Sequence, residues 1–158
     1  MRASRKVDYA IRAMGYLAAL PRDRITLVAE IAETQDIPRD FLSKILKDLV
    51  NRGLLRSHLG PGGGYCLARD PKTISFREVH EAIEGPLLVM DCGHGSSSCS
   101  KLDSCAQLPV WRELEKTVCD LFSRVTIDDV KEQLPALGKA HAPAVNEDLQ
   151  DLEDLEPR

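Results

Sequence analysis

The run Gly-Pro-Gly-Gly-Gly at residues 60–64 most constrains how this chain can fold. Such a run suits neither a helix nor a strand, so the chain must turn there. Strand-like runs lie on both sides of it, LLRSH before and YCLARD after. The pattern predicts a β-hairpin with a wide, glycine-rich tip. It is not a nucleotide phosphate loop, because it lacks the Gly-Lys-Ser/Thr ending and opens no helix.

The N-terminal segment predicts a first amphipathic helix. Its apolar residues between Val7 and Ala18 recur at intervals of three and four, which is helical spacing. The segment begins basic and becomes apolar, as a signal peptide does, but Asp8 and Arg12 interrupt its apolar part. We therefore interpret it as the first helix of a cytoplasmic protein.

Two more helices are expected before the hairpin. We expect Thr26 to cap a short second helix, and Pro38 to be the first residue of a third, which Gly53 ends. Two short helices joined by a tight turn form a helix-turn-helix, and a hairpin directly after it makes a winged helix. The apolar face of the third helix carries Phe41, Leu42, Ile45, Leu46, Leu49 and Val50.

The second half of the chain predicts two more helices and a tail. Ser75 and Glu78 form a capping box for a helix that Gly85 ends. A long helix begins near Leu108 or Pro109, and its apolar stripe is too long for a small domain to cover, so we expect a helix from a second subunit against it. The stripe consists of Trp111, Leu114, Val118, Leu121, Phe122 and Val125.

The fold class follows from this order: mainly α with a small β-hairpin, as a winged helix-turn-helix plus a long C-terminal dimerisation helix. The acid-rich tail is expected to be disordered. The expected parts are a DNA-binding domain at 1–85, a cysteine loop at 86–107, the dimerisation helix and its end at 108–133, and the tail at 134–158.

Charge is divided unevenly along the chain. The net charge is −4, but residues 1–72 hold 13 Lys and Arg against 8 Asp and Glu, a net of +5. A net positive charge on residues 1–72 modestly favours binding of this part of the chain to DNA. The chain has no run of about 18 apolar residues, so no membrane span is expected.

Three cysteines lie close together in DCGHGSSSCSKLDSC. Six residues separate Cys92 from Cys99, and five separate Cys99 from Cys105. Zinc sites commonly use tighter spacing with a fourth Cys or His, whereas thiolates in wider loops hold iron–sulfur clusters. The spacing alone leaves a cluster, a zinc site and a redox switch open. Two further cysteines, Cys66 and Cys119, are expected to be small buried apolar residues.

The motifs resemble a known family. They are KVDYAIRAM, LVAEIAETQDIPRDFLSKILKDLVNRGLL, GPGGGYCLARDP, ISFREVHEAIEG, and three spaced cysteines before PVWRELE. Together they cover roughly residues 1–133 and resemble the bacterial winged-helix iron–sulfur regulators that include IscR and NsrR. The resemblance implies a homodimer that binds promoter double-stranded DNA. It also implies an iron–sulfur cluster held by Cys92, Cys99 and Cys105.

One ligand of the implied cluster differs from the IscR pattern. The histidine expected three residues after the last cysteine is replaced by Leu108, which cannot ligate iron. Regulators resembling NsrR take a carboxylate from the partner's first helix, and Asp8 occupies that position; an acid there is also favoured simply by the helix dipole. His94 in the loop is a weaker alternative. We expect a 4Fe–4S cluster, and a 2Fe–2S cluster also suits these ligands.

The DNA contacts are expected from three elements. Arg39 and Ser43 on the third helix are the base-contact candidates, and Asp40 would repel phosphate unless it accepts a hydrogen bond from cytosine N4. The wing arginine of IscR is replaced by Leu59, so operator preference does not carry over. Phosphate and wing contacts are expected from Lys44, Lys47, Arg2, Arg5, Lys6, Arg56, His58, Gly62 and Gly63.

The sequence thus predicts a dimeric DNA-binding transcription regulator whose promoter binding responds to iron–sulfur status, redox state or nitric oxide. One alternative is a winged-helix repressor without a cluster, whose cysteines form a thiol redox switch or a zinc site. Another is an adaptor that presents a cluster to an assembly enzyme. No nucleophile–base pair or paired-carboxylate motif is present, so neither an enzyme nor a small-molecule substrate is expected.

Overall fold

The computed structural model describes residues 4–89 and 104–131. The elements with described bounds are five α-helices, a short 3₁₀ turn and a two-stranded hairpin, and residues 127–131 are also helical. The predictions for Arg2, Cys92, His94, Cys99 and the tail lie outside them. The elements are α1 (Arg5–Ala19), α2 (Val28–Gln35), α3 (Arg39–Asn51), β1 (Leu55–His58), β2 (Gly64–Leu67), the turn Pro71–Thr73, α4 (Phe76–Glu84) and α5 (Leu108–Arg124).

Helix α1 forms as its sequence spacing predicted. The Ser4 hydroxyl accepts a hydrogen bond from the Val7 N–H and caps the helix. Val7, Ala10 and Met14 point inward, each no more than 2% exposed. The helix therefore contributes one continuous apolar face to the core, which it shares with α3 and α4.

The expected cap of α2 was wrong. Leu27 occupies the cap position without a side-chain bond, and Thr26 is instead an isolated strand residue paired with Tyr65. Both backbone N–H groups of that pair donate across it at 2.9 Å. Extended backbone suits a β-branched residue, and this pairing satisfies two buried donors where a cap would satisfy one. The segment thus forms an isolated β-bridge beside the two-stranded hairpin.

Helix α3 begins one residue later than expected. Pro38 lies at the cap position, and its carbonyl accepts hydrogen bonds from Phe41 and Leu42. At the other end, Gly53 has φ +71°, the left-handed conformation that ends helices. Leu42, Leu46 and Leu49 are fully buried, as predicted for the apolar face of α3. Phe41, expected on the same face, is instead 37% exposed.

The hairpin has the predicted form, and we call residues 55–67 the wing. Leu55 pairs with Leu67 and His58 with Gly64, which leaves residues 59–63 as the tip. A Cβ atom on Gly64 would lie 2.3 Å from the Thr26 carbonyl oxygen. Glycine is therefore required there for the strands to approach.

The predicted capping box of α4 is confirmed, with Ser75 and Glu78 bonded reciprocally and Gly85 just past the last turn. The residues that follow α5 pack against the start of α4. The Phe76 N–H donates to the Val125 carbonyl at 2.8 Å, and the Ile127 N–H donates to the Ile74 carbonyl at 2.9 Å. Ile127 is fully buried in the core of the winged helix. The end of α5 is thus attached to the start of α4.

Within the two described parts of the chain, every helix is too short or too polar to cross a membrane.

Candidate DNA-binding surface and cysteine site

The polar face of α3 is open to solvent. Arg39, Lys44 and Lys47 are exposed, as the helix-turn-helix interpretation requires. Ser43 is half-buried, and its hydroxyl donates to the Arg39 carbonyl at 2.9 Å. Its oxygen keeps its acceptor capacity for a base amino group. In a helix-turn-helix, this face of the second helix enters the major groove.

Basic residues of α1 lie at its first turn. Arg5 and Lys6 are exposed there. The positive end of the helix dipole and these two side chains make the start of α1 attractive to phosphate.

The wing presents an unusual tip. Leu59 is 97% exposed, and the backbone beyond it turns through Gly60 and Gly62, which have φ +102° and +81°. The Gly63 N–H donates to the Gly60 carbonyl at 2.9 Å and closes the turn. With no side chains on three of its residues, the tip leaves its backbone open to close approach.

Two wing side chains have partners within the protein. The Arg56 guanidinium lies 2.9 Å from the Asp23 carboxylate, and both side chains are more than half exposed. His58 is exposed, and its Nε2 lies 3.5 Å from the Sγ of Cys66. Arg56 must therefore leave Asp23, or share it, to contact phosphate.

Asp8 lies on the exposed side of α1, close to Arg12 at 3.6 Å. The Arg12 guanidinium also lies over the Tyr9 ring, 5.7 Å from its centroid. Tyr9 in turn packs edge-on against Phe41, with ring centroids 5.8 Å apart. These contacts connect Asp8 to the first turn of α3, where Arg39 lies.

Cys105 is a free, half-buried thiol three residues before α5. Its carbonyl accepts the Leu108 N–H at 3.2 Å. At the other end of the cysteine loop, the Val89 N–H donates to Glu115 of α5 at 3.1 Å. Both ends of the loop are therefore attached to the first half of α5.

Within residues 4–89 and 104–131, no three His, Cys, Asp or Glu side chains lie close enough together to hold a metal ion. The described donors still suit a thiolate-bound cluster with one oxygen ligand: Cys105 is in no disulfide, and the Asp8 side chain is 57% exposed.

The other two cysteines differ. Cys66 is buried, as expected. Cys119 is only half-buried, so the expectation of burial was wrong there, because described residues leave its side of α5 partly uncovered.

Helix α5 carries apolar side chains that the described residues leave partly exposed. Val110, Leu114 and Leu121 are 68%, 43% and 47% exposed. Phe122 faces inward instead and packs against Phe76 of α4, with ring centroids 4.6 Å apart. None of the 17 residues of α5 is fully buried.

Glu78 connects the wing to α4. Its carboxylate accepts hydrogen bonds from Arg69, just beyond β2, and from the Ser75 N–H at 2.9 Å. Burial alone would raise the pKa of Glu78, but the hydrogen bonds from Arg69 and Ser75 outweigh it and lower the pKa below its ordinary value.

Sequence comparison decides the family. The pattern of the Rrf2 family, described as an iron-dependent transcriptional regulator, matches residues 3–133. This chain belongs to the Rrf2 family. The expected family is thereby confirmed, and so are its winged-helix fold, its DNA-binding character and its role in transcription regulation.

Two relatives of this Rrf2 protein illustrate the match. A helix-turn-helix-type transcriptional regulator of Mycobacterium tuberculosis is 39% identical over 131 residues, which are 82% of this chain and 81% of that protein. IscR of Salmonella agona is 30% identical over 164 residues, covering 100% of this chain and 99% of that protein.

Solved Rrf2-type structures share the fold. IscR of T. potens has a TM-score of 0.66 at 25% identity, over 89% of this chain and 93% of that one. The oxidised form of Staphylococcus aureus CymR has a TM-score of 0.66 at 26% identity, over 84% and 97%. CymR of B. subtilis, a global cysteine regulator, has a TM-score of 0.71 over 84% and 97%, but at 23% identity it shows the fold alone.

Proposed function

We propose that this Rrf2-family regulator changes its DNA affinity when an iron–sulfur cluster is gained or lost at Cys92, Cys99 and Cys105. The observation that carries the proposal is the position of Cys105, a free thiol at the junction between the cysteine loop and α5. A ligand at that junction acts directly on the helix that exposes an apolar face. The iron-dependent character of the family supports the same choice.

The fourth ligand we propose is Asp8 of the partner subunit. Among the residues that the structure describes, its exposed carboxylate forms a surface pair with Arg12, which costs little to break. When bound, a cluster with three thiolates and one carboxylate supplies an iron with a weak oxygen ligand, open to oxygen or nitric oxide. A 4Fe–4S cluster is favoured, and a 2Fe–2S cluster also suits the donors.

This ligand set requires a homodimer. The exposed Val110, Leu114 and Leu121 of α5 support one, since their spacing of four and seven places them on one face and a contiguous apolar patch marks an interaction surface. Pairing of α5 with its copy would place each cysteine loop near the partner chain. The cluster would then hold α1 of one subunit against the cysteine loop of the other.

Two routes would carry a change at the cluster to the DNA-binding surface. One runs from Asp8 through Arg12 and Tyr9 to Phe41 at the start of α3. The other runs along α5 to Val125, whose carbonyl binds the first residue of α4. Both end on elements that position α3 and the wing, so cluster binding shifts the population of DNA-competent dimers.

The DNA complex we propose uses two surfaces. Arg39 and Ser43 contact base edges in the major groove, and Lys44 and Lys47 contact phosphates beside it. The backbone at Gly62 and Gly63 approaches the duplex from the wing. Arg2, Arg5 and Lys6 contribute phosphate contacts from the start of the chain, and Arg56 and His58 from the wing strand.

Anaerobic purification of the full chain tests the cluster directly. We expect a brown protein with iron, sulfide and charge-transfer absorption, and a native mass equal to a dimer plus clusters. Cys105→Ser should lose the iron. Cys119→Ser, the matched control on α5, should retain it. A colourless wild-type protein that contains zinc or no metal would overturn the proposal.

A second candidate function is a repressor without a cluster, in which the loop cysteines form a thiol switch. The likeness to Staphylococcus aureus CymR, solved in an oxidised form, favours it. It predicts a colourless protein whose Cys92, Cys99 and Cys105 form disulfides that a reductant reverses. The same purification therefore separates the two candidates.

A further inference from the structure

Cys66 lies on β2 of the wing, apart from the cysteine loop, and its thiol has a polar partner. The side chain is 3% exposed. Its Sγ lies 3.5 Å from Nε2 of His58 on the neighbouring strand. A neutral imidazole nitrogen at this distance can accept the thiol proton, and the thiolate is the reactive form of cysteine.

A cavity reaches this thiol. It measures about 110 Å³ and lies between the end of α1 and the base of the wing. This volume gives the cavity room for water-sized molecules. Its walls include Cys66 and four arginines, Arg22, Arg24, Arg56 and Arg69, against two aspartates, Asp23 and Asp70. Three of these arginines are paired with carboxylates, Arg24 with Glu30, Arg56 with Asp23 and Arg69 with Glu78, so His58 is the group on which activation of the thiol depends.

We propose that Cys66 is a modification site for hydrogen peroxide, separate from the cluster. His58 takes the thiol proton, and the sulfur attacks one peroxide oxygen. An S–O bond forms and the O–O bond breaks. The leaving hydroxide takes the proton from His58 and becomes water. Sulfur loses two electrons, peroxide gains them, and Cys66 becomes a sulfenic acid that thiols reduce.

The added oxygen has little room on the core side. Two residues before Cys66, Gly64 lies so close to Thr26 that no Cβ atom would fit. Strand β2 is therefore fixed against the Thr26 segment, so the added oxygen changes the contact with His58 or enters the cavity beside the Arg56–Asp23 pair. Both belong to the wing surface proposed to contact DNA. Oxidation is therefore expected to weaken DNA binding, and this consequence alone rests on the proposed function.

The first test concerns the chemistry and does not depend on DNA or iron. Full-length protein with Cys92, Cys99 and Cys105 each changed to Ser is treated with hydrogen peroxide, quenched with catalase, and denatured in dimedone. Denaturation lets the trapping reagent reach a buried sulfenic acid. Peptide mass mapping should find the label on Cys66 and not on Cys119, for which residues 4–89 and 104–131 provide no imidazole partner. His58→Asn should slow labelling of Cys66 at least about tenfold.

An unlabelled Cys66, or a labelling rate that His58→Asn leaves unchanged, would overturn the proposed site.

The second test measures the affinity of the variant with Cys92, Cys99 and Cys105 changed to Ser for a duplex selected from a random-sequence library. Peroxide should weaken binding about tenfold, dithiothreitol should restore it, and adding Cys66→Ala should abolish the effect. If Cys66 is oxidised and affinity does not change, the expected weakening of DNA binding by oxidation is wrong. Melting temperatures of both variants verify that they fold.

Discussion

The carboxylate of Asp8 lies 3.6 Å from the guanidinium of Arg12, one turn further along α1. Their side chains are 57% and 32% exposed, and a pair of this kind contributes about 0–1 kcal/mol. Asp8 can therefore exchange Arg12 for a metal at small cost. Arg12, which also contacts Tyr9, would then be free to move relative to α3.

Asp8→Ala should destabilise the cluster without unfolding the protein. The iron that loses its oxygen ligand becomes more accessible, so we expect faster cluster loss under a chelator, by at least about tenfold, or about 1.4 kcal/mol. Absorbance decay under anaerobic conditions measures it. Arg12→Ala is the control, because it breaks the same ion pair but removes no ligand. Identical decay of wild type and Asp8→Ala would exclude Asp8.

Residues of α3 should separate into two kinds of DNA contact. Arg39→Ala should relax discrimination at one base pair by about 1–3 kcal/mol. Lys44→Ala and Lys47→Ala should instead weaken binding to all sequences and each reduce the slope of log K against log salt by about 1. Fluorescence anisotropy across a salt series distinguishes them. Lys116→Ala, an exposed lysine on α5, should do neither.

The exposed face of α5 should be a dimer interface. Leu114→Glu together with Leu121→Glu should produce a folded monomer, because neither residue belongs to the buried core. Burying one leucine stabilises by about 1.5–3 kcal/mol, so the dimer should dissociate at least about 100-fold more readily. Sedimentation equilibrium measures this. Lys116→Glu adds a carboxylate to another face of α5 and should remain dimeric; a wild-type monomer would refute the interface.

The start of α4 should be sensitive to acid. The pKa of Glu78 is lowered in the folded protein, so its stabilisation is complete above the unfolded value near 4.5 and is lost as the pH falls through the folded pKa. Glu78→Gln should therefore lower the free energy of unfolding at pH 7, and its difference from wild type should shrink below about pH 4. Urea titrations over this range test it. Glu33→Gln, on the exposed side of α2, is the matched control for the loss of one carboxylate.

Local rules explain which elements could be predicted from the sequence. The capping box of Ser75 and Glu78 and the stop at Gly53 depend on residues a few positions apart, so both were predictable. Thr26 has the same local preference for a cap, but its backbone pairs with Tyr65, 39 positions further along the chain. Only the folded chain brings those two residues together, and that pairing overrides the local signal.

Some residues of the candidate site could likewise be predicted from the sequence, and others could not. Residue type and spacing pointed to the three cysteines and the basic face of α3, and the family resemblance pointed to Asp8. The attachment of Val125 and Ile127 to the start of α4 gave no such signal, because one apolar residue after a helix is compatible with many contacts. The Cys66–His58 contact was also missed, since it depends on the hairpin register that pairs His58 with Gly64. That register follows from the turn, whose geometry the glycine run alone does not determine.

The central claim is that the cluster controls DNA binding. Anaerobic anisotropy on one duplex selected from a random-sequence library should compare the cluster-loaded dimer with the same protein after chelation, at one fixed salt concentration. We expect the two affinities to differ at least about tenfold, a typical coupling between two sites. Cluster reconstitution should restore the first value. Equal affinities of the loaded and cluster-free dimers would contradict the account.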